Sequence, residues 1–189
     1  ALPAVTDAES GAAEGAPQLY DDVPGNVALD YHYGDREKTA AAFAAAHHTV
    51  SMRLVSQRVV VSAMEPRSAI GAIEDGRWVL RVGCQGVFGL RGAMADILGV
   101  KPAEVHVLTG NVGGSFGMKA AAYPEYVAIL HAAKELGMPV KWTDERSGSF
   151  LSDHHGRDHV AHCELALDRD GRFLAVRVRN YGDMGGHLS

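Results

Sequence analysis

The chain predicts an α+β fold, with mixed sheets, β-hairpins and two main helices. Three observations carry this. Two pairs of β-rich runs are each joined by a short turn sequence, Glu74-Asp75-Gly76-Arg77 and Asp168-Arg169-Asp170-Gly171-Arg172, and such turns join antiparallel neighbours. Two segments carry apolar residues at helical spacing, and a glycine closes each, Gly99 and Gly137. The order is three strands, a helix, a strand, a glycine-rich loop, a helix, a strand and a hairpin. That is not an even alternation of β and α units.

Residues 1–25 read as a linker or extended segment. Alanine, glycine, proline and acidic residues there show no periodicity and offer little apolar surface to bury. Residues 26–189 read as the folded part. After Asp35, the alanine-rich run Thr39 to Ala46 favours a short helix by propensity. From Thr49 to Ala63, Val, Ser, Met and Leu with partial alternation predict a long strand. Ser68 to Ile73 and Trp78 to Gly83 form the first hairpin. Val87, Leu90, Met94, Ile97 and Leu98 share one helix face, and Val105 and Val107 belong to the next strand. Pro124 opens the second main helix, Glu125 suits its first turn, and Tyr126, Ile129, Leu130 and Ala133 make its stripe. In the last hairpin, His159 to Leu167 and Phe173 to Tyr181, Leu174, Val176 and Val178 oppose Arg177 and Arg179. A sheet with one wet face has that pattern.

A chain of 189 residues with 47% hydrophobic content can bury a core of one or two compact units. A net charge of −5 argues against nucleic acid or an anionic membrane as partner. No apolar run approaches the roughly 20 residues that a membrane span needs, and no signal peptide is read. Two cysteines, Cys84 and Cys163, sit in apolar or alternating segments as ordinary core thiols, so a reducing, cytoplasmic setting is expected. Histidines cluster at His154, His155, His159 and His162. His159 and His162 differ by an odd number within a strand and face opposite sides, so no metal site is expected there.

The run Gly110-Asn111-Val112-Gly113-Gly114-Ser115-Phe116-Gly117-Met118-Lys119 is the most informative stretch. It is not a Walker loop, because Met118 precedes Lys119 and Ala120 stands where a Mg²⁺-binding hydroxyl belongs. Nor does a dinucleotide-binding glycine register fit it. Two readings stay open: a tight strand-to-helix corner, or a backbone concavity for an anion or a polar cofactor edge. Neighbouring residues have plain readings too. Gln85 suits a helix cap or surface, Phe116 a plug beneath the turn, Lys119 a solvated position, and Glu65 an ion pair with a nearby arginine. Ser115 has no placed base and is not read as a nucleophile.

Several segments resemble the molybdenum-binding subunit of the xanthine dehydrogenase, aldehyde oxidase and carbon monoxide dehydrogenase family. Val112 to Lys119 is similar to that family's Gly-Gly-Gly-Phe-Gly-x-Lys loop. Met64-Glu65-Pro66-Arg67 resembles its Met-Glu-Pro segment. Gly83-Cys84-Gln85-Gly86-Val87-Phe88 resembles its Ser-Thr-Gln segment, followed by a helix ending in Leu-Gly-Val, here Leu98-Gly99-Val100. Ala122 to Tyr126 is closest to the carbon monoxide dehydrogenase-like branch, and Pro139 to Arg146 resembles the family's Pro-Val…Arg segment. The order and spacing agree over about residues 25 to 189. One departure is Ser115, where the usual motif has glycine. Another is Ala120, where the xanthine dehydrogenase branch has a substrate-contacting glutamate.

The resemblance implies a partial molybdopterin-binding domain over residues 26–189. Gln85, Gly113, Gly114, Ser115, Phe116 and Gly117 are then the cofactor-binding residues. The cofactor implied is molybdenum–molybdopterin, with its cytosine dinucleotide form as one version. 2Fe-2S clusters and FAD are expected on partner subunits, beside the remainder of the large subunit. The implied activity is oxidation of a small substrate (an aldehyde, an N-heterocycle or carbon monoxide) with water as oxygen source. The family's general-base glutamate has no match here, so no catalytic residue is assigned and the isolated chain is expected to be inactive. Two readings from other classes stand beside this one. They are a phosphate- or nucleotide-binding module using the glycine loop, and an assembly unit with an exposed apolar Tyr126–Ala133 face.

Overall fold

The structure, a computed structural model, describes residues 4–186. In chain order its elements are α1 (Ala8–Gly11), α2 (Arg36–Ala45), β1 (His48–Ser56), β2 (Ser68–Glu74), β3 (Arg77–Val82) and α3 (Val87–Leu98). Then follow β4 (Val105–Leu108), α4 (Pro124–Leu136), β5 (Val140–Thr143), α5 (Arg146–Ser152), β6 (His159–Leu167) and β7 (Phe173–Gly182). The chain forms two compact units. One joins the residues up to Val59 with those from Arg157 onward; the other is Val60–Gly156.

The first unit holds an antiparallel sheet in the order β1-β6-β7. Its register aligns Val50, Leu165 and Val176 in one row and Met52, Cys163 and Val178 in another. Paired residues across antiparallel strands share a face, so these apolar rows lie on one side. Ser51, Glu164 and Arg177 lie on the other. On that side the Arg177 guanidinium sits 4.4 Å from the Phe43 ring centroid of α2, and Arg53 and His162 both reach Glu9 of α1.

The stretch read as linker carries local order made by hydrogen bonds, not by burial. Asp7 caps α1 by accepting from the Ser10 N–H. Asn26 accepts from Leu19 N–H and donates to the carbonyls of Gly11 and Pro17. The strand expected from Thr49 to Ala63 ends at Ser56. Ser62 adopts φ of 48°, a left-handed conformation that no strand continues through.

The second unit is built on a sheet in the order β4-β3-β2-β5. β2 and β3 form the expected hairpin, and both turn residues, Asp75 (φ 49°) and Gly76 (φ 74°), are left-handed, as a two-residue loop of matching twist requires. β4 runs parallel to β3, and α3 makes the crossover between them. Both main helices end on a left-handed glycine, Gly99 at φ 67° and Gly137 at φ 64°. α4 lies so close to β2 that a Cβ on Gly71 would stand 2.9 Å from the Ile129 carbonyl oxygen.

The core of this unit includes Leu80, Leu90, Met94, Tyr126 and Leu130. The Tyr126–Ala133 face of α4 is therefore covered within the unit, which corrects its reading as an exposed assembly surface. α5 has no counterpart in the sequence reading. Its seven residues, Arg-Ser-Gly-Ser-Phe-Leu-Ser, show no stripe and contain Gly148.

Candidate functional site

The glycine loop leaves β4 and enters a short 3₁₀ turn, Met118–Ala120, ahead of α4. Its backbone alternates in character: Gly114 (φ 99°), Phe116 (φ 50°) and Gly117 (φ 95°) are left-handed, and Ser115 is not. Glycine at 113 has a different cause. A Cβ there would stand 2.6 Å from the Glu65 Cβ, so the absence of a side chain is what lets the two segments meet.

Glu65 and Lys119 lock that meeting. The Gly113 N–H donates to Glu65 Oε2 at 2.9 Å, and the Glu65 N–H donates to the Gly113 carbonyl at 3.0 Å. Lys119 Nζ donates to the same Oε2 at 2.7 Å. The lysine side chain is 1% exposed, so the solvated position expected for it is corrected. Glu65 pairs with this lysine and not with an arginine. The Lys119 ammonium, then the Gly113 N–H, hold the Glu65 carboxyl below the usual carboxylate range.

Gln85 stands between β3 and α3, opposite the loop. Its Oε1 accepts from Ser115 Oγ at 2.6 Å and from the Gly117 N–H at 2.9 Å. Its own N–H donates to the Lys119 carbonyl at 3.1 Å, and the Lys119 N–H donates to Ser115 Oγ at 3.2 Å. The structure thus brings together Gln85, Ser115 and Gly117, while Gly113 is joined to Glu65. Phe116 is not the core plug considered from sequence: its side chain is largely exposed, and its ring lies over Gly114. The N–H groups of Gly114, Ser115 and Phe116 have no acceptor among the described residues. Three successive donors of that kind, beside an amide, suit an anionic or oxygen-bearing group.

Behind the loop lies a residue to which the sequence reading gave no role. Arg67 is fully buried, with Nε 2.5 Å from Asp153 Oδ1, two contacts to Glu125 at 3.0 and 3.2 Å, and Nη2 2.9 Å from Ser152 Oγ. Its guanidinium lies 3.7 Å from the Tyr123 ring centroid. Burial would lower its pKa, but the hydrogen bonds to Glu125 and Asp153 outweigh burial and raise it. Tyr123 in turn donates its hydroxyl to the Met118 carbonyl at 2.9 Å, so the buried cluster holds the end of the loop.

The family model of the molybdopterin cofactor-binding domain matches residues 19–189. The chain belongs to that family. The molybdopterin cofactor-binding domain is similar in sequence to the gamma subunit of the 6-hydroxypseudooxynicotine dehydrogenase complex of Paenarthrobacter nicotinovorans, with 34% identity over 157 residues. That match covers 82% of this chain and 19% of the relative. The carbon monoxide dehydrogenase large chain of Hydrogenophaga pseudoflava is 29% identical over 198 residues, covering 97% of this chain and 25% of that one. Among solved structures, CO dehydrogenase from Oligotropha carboxidovorans superposes with a TM-score of 0.82 at 29% identity, over 95% of this chain and 24% of that chain. The aldehyde oxidoreductase from Desulfovibrio gigas, at 24% identity and a TM-score of 0.80, shares the fold. The chain thus spans a fifth to a quarter of the length of these relatives. Among the described residues, no helix is long and apolar enough to cross a membrane, and no group of three or more His, Cys, Asp or Glu is placed to hold a metal ion.

Proposed function

We propose that this domain forms part of the molybdenum–molybdopterin cradle of a larger oxidoreductase subunit, with Gln85 and Gly113, Gly114, Ser115, Phe116 and Gly117 at the cofactor. The observation that carries this is the run of three backbone donors without an acceptor among the described residues, Gly114 to Phe116, beside the Gln85 amide. The left-handed glycines Gly114 and Gly117 keep the loop backbone open to close approach. A Cβ at Gly117 would meet nothing within 4 Å, and one at Gly114 would press on the Phe116 ring at 3.0 Å. These residues fit a group rich in oxygen acceptors. They hold and orient it through N–H groups that add no charge.

When bound, such a cofactor supplies two-electron redox chemistry at its metal, with water as the source of the oxygen inserted. The substrate class is a small aldehyde, N-heterocycle or carbon monoxide. Electrons would then pass to 2Fe-2S clusters and FAD on partner subunits, and the cytosine dinucleotide form is one version the cofactor would take. The domain supplies no general base of its own and does not turn over substrate by itself. A cytoplasmic setting accords with its two thiols, Cys84 buried and Cys163 half-buried, neither in a disulfide.

The test is molybdenum and pterin analysis of the parent protein from a molybdenum-replete host, comparing wild type with Gln85→Ala and Phe116→Ala. Near-stoichiometric molybdenum and pterin in wild type, with retention or turnover impaired in the variants, is expected. A well-folded, metal-free wild type that instead binds inorganic phosphate or nucleotide by calorimetry would replace the cradle with a phosphate-binding module.

A further inference from the structure

The Gly117 N–H is an obligate donor, so the atom of the Gln85 side chain that faces it at 2.9 Å must be the amide oxygen. Ser115 supplies the second donor to that oxygen, at 2.6 Å. An amide oxygen has two lone pairs, and here both are taken. The Nε2 group is left with two N–H donors and no protein acceptor among the described residues. The serine has no freedom in this. Its Oγ accepts from the Lys119 N–H at 3.2 Å, which leaves its single proton for Gln85.

From this we infer that Ser115 is a positioning residue that fixes the Gln85 amide with its donor side turned outward. This rests on the cradle reading above and deepens it: the site selects a hydrogen-bond acceptor at Gln85 and rejects a donor. With glycine at this position, as in the loop motif that the sequence resembles, Gln85 would keep only the Gly117 N–H, and the Lys119 N–H would lose its partner. The amide would then rotate more freely about its last torsion, a broad one in any glutamine. Ser115 is thus not merely a tolerated change in a glycine loop. Its backbone is not left-handed, so alanine or threonine fits there without strain.

The test uses Ser115→Ala, Ser115→Thr, Gln85→Ala and the Ser115→Ala/Gln85→Ala double variant, in two arms. In the full chain without cofactor, ¹⁵N relaxation of the Gln85 side-chain amide is measured. Wild type and Ser115→Thr should be rigid, and Ser115→Ala should fall to an order parameter of about 0.6 or below. An equally rigid amide in Ser115→Ala overturns the inference. In the cofactor-loaded parent protein, molybdenum content and the molybdenum electron paramagnetic resonance signal are measured. Ser115→Ala should keep its molybdenum within about twofold, broaden the signal as Gln85→Ala does, and add nothing in the double variant. A Ser115→Ala signal identical to wild type, with Gln85→Ala altered, also overturns it. A parent protein that comes without molybdenum from a molybdenum-replete host, with the Gln85 amide rigid in the first arm, refutes the cradle and leaves the Ser115 contact standing.

Discussion

Lys119 Nζ lies 2.7 Å from Glu65 Oε2, yet the two ends of this ion pair live in different media: the lysine side chain is 1% exposed and the glutamate 40%. The pair is also the point where the Met64–Arg67 segment grips the glycine loop, since Glu65 Oε2 accepts from Gly113 as well. Unequal burial makes its two halves unequal in consequence.

Glu65→Ala leaves a buried ammonium without a counter-charge and should cost about 3–5 kcal/mol. Lys119→Met leaves a carboxylate that water already reaches, and fills the lysine's channel with an apolar stem, so its cost should stay near 1 kcal/mol. Urea denaturation of both variants checks this. An equal loss, or the reverse order, means that the pair is not anchored from the lysine side.

The same contact predicts a pH response. The Glu65 carboxyl titrates below its ordinary value of 4.5 because Lys119 and the Gly113 N–H favour its charged form. Its contribution to stability is therefore fully present above 4.5 and is lost as pH falls through the lower folded-state value. Backbone amide exchange at Gly113 should accelerate over that acid range in wild type. In Glu65→Gln the acceleration should be absent, the amide being weakly protected throughout.

Arg67→Met is expected to destabilise the unit by about 3–5 kcal/mol, because it strands Asp153, whose side chain is 1% exposed, and removes the bidentate partner of Glu125. Thermal unfolding followed by circular dichroism gives the comparison. A loss under about 1 kcal/mol would show the cluster relaxing or taking up protons instead.

Two tyrosines three positions apart should behave differently when their hydroxyls are removed. Tyr126 is buried, its hydroxyl has no hydrogen-bond partner among the described residues, and burial pushes its pKa up to about 12. Tyr126→Phe should change stability by less than about 0.5 kcal/mol or raise it. The Tyr123 hydroxyl donates to Met118 and accepts from His154, so Tyr123→Phe should cost about 1–3 kcal/mol. Denaturant midpoints of the two variants decide it.

Much of the fold was legible because its signals are local. Gly99 and Gly137 mark helix ends through a conformation that other residues resist, and Asp75-Gly76 marks a hairpin by the same physics. The glycine loop and Gln85 could be singled out, the latter through the family resemblance. What escaped depends on distant partners. Lys119 looks solvated until Glu65 arrives from 54 positions away. Arg67 draws its partners from Glu125, Asp144 and Asp153, in three separate parts of the chain, and no periodicity announces such a cluster. α5 lacks any apolar stripe and was missed for that reason. Local hydrogen bonds around Asp7 and Asn26 order a segment whose composition alone argued for none.

The pairing of β1 with β6 sets an order of events during synthesis. The whole Val60–Gly156 unit lies in sequence between those two strands, so it leaves the ribosome before β6 exists. Until then β1 waits with Val50, Met52 and Leu54 unpaired, for about a hundred residues of translation or several seconds. A contiguous unit completed first shortens the effective loop that β1 and β6 must close. Codon-level slowing within residues 60–156 would lengthen the wait of a sticky strand, and rapid folding of that unit would relieve it.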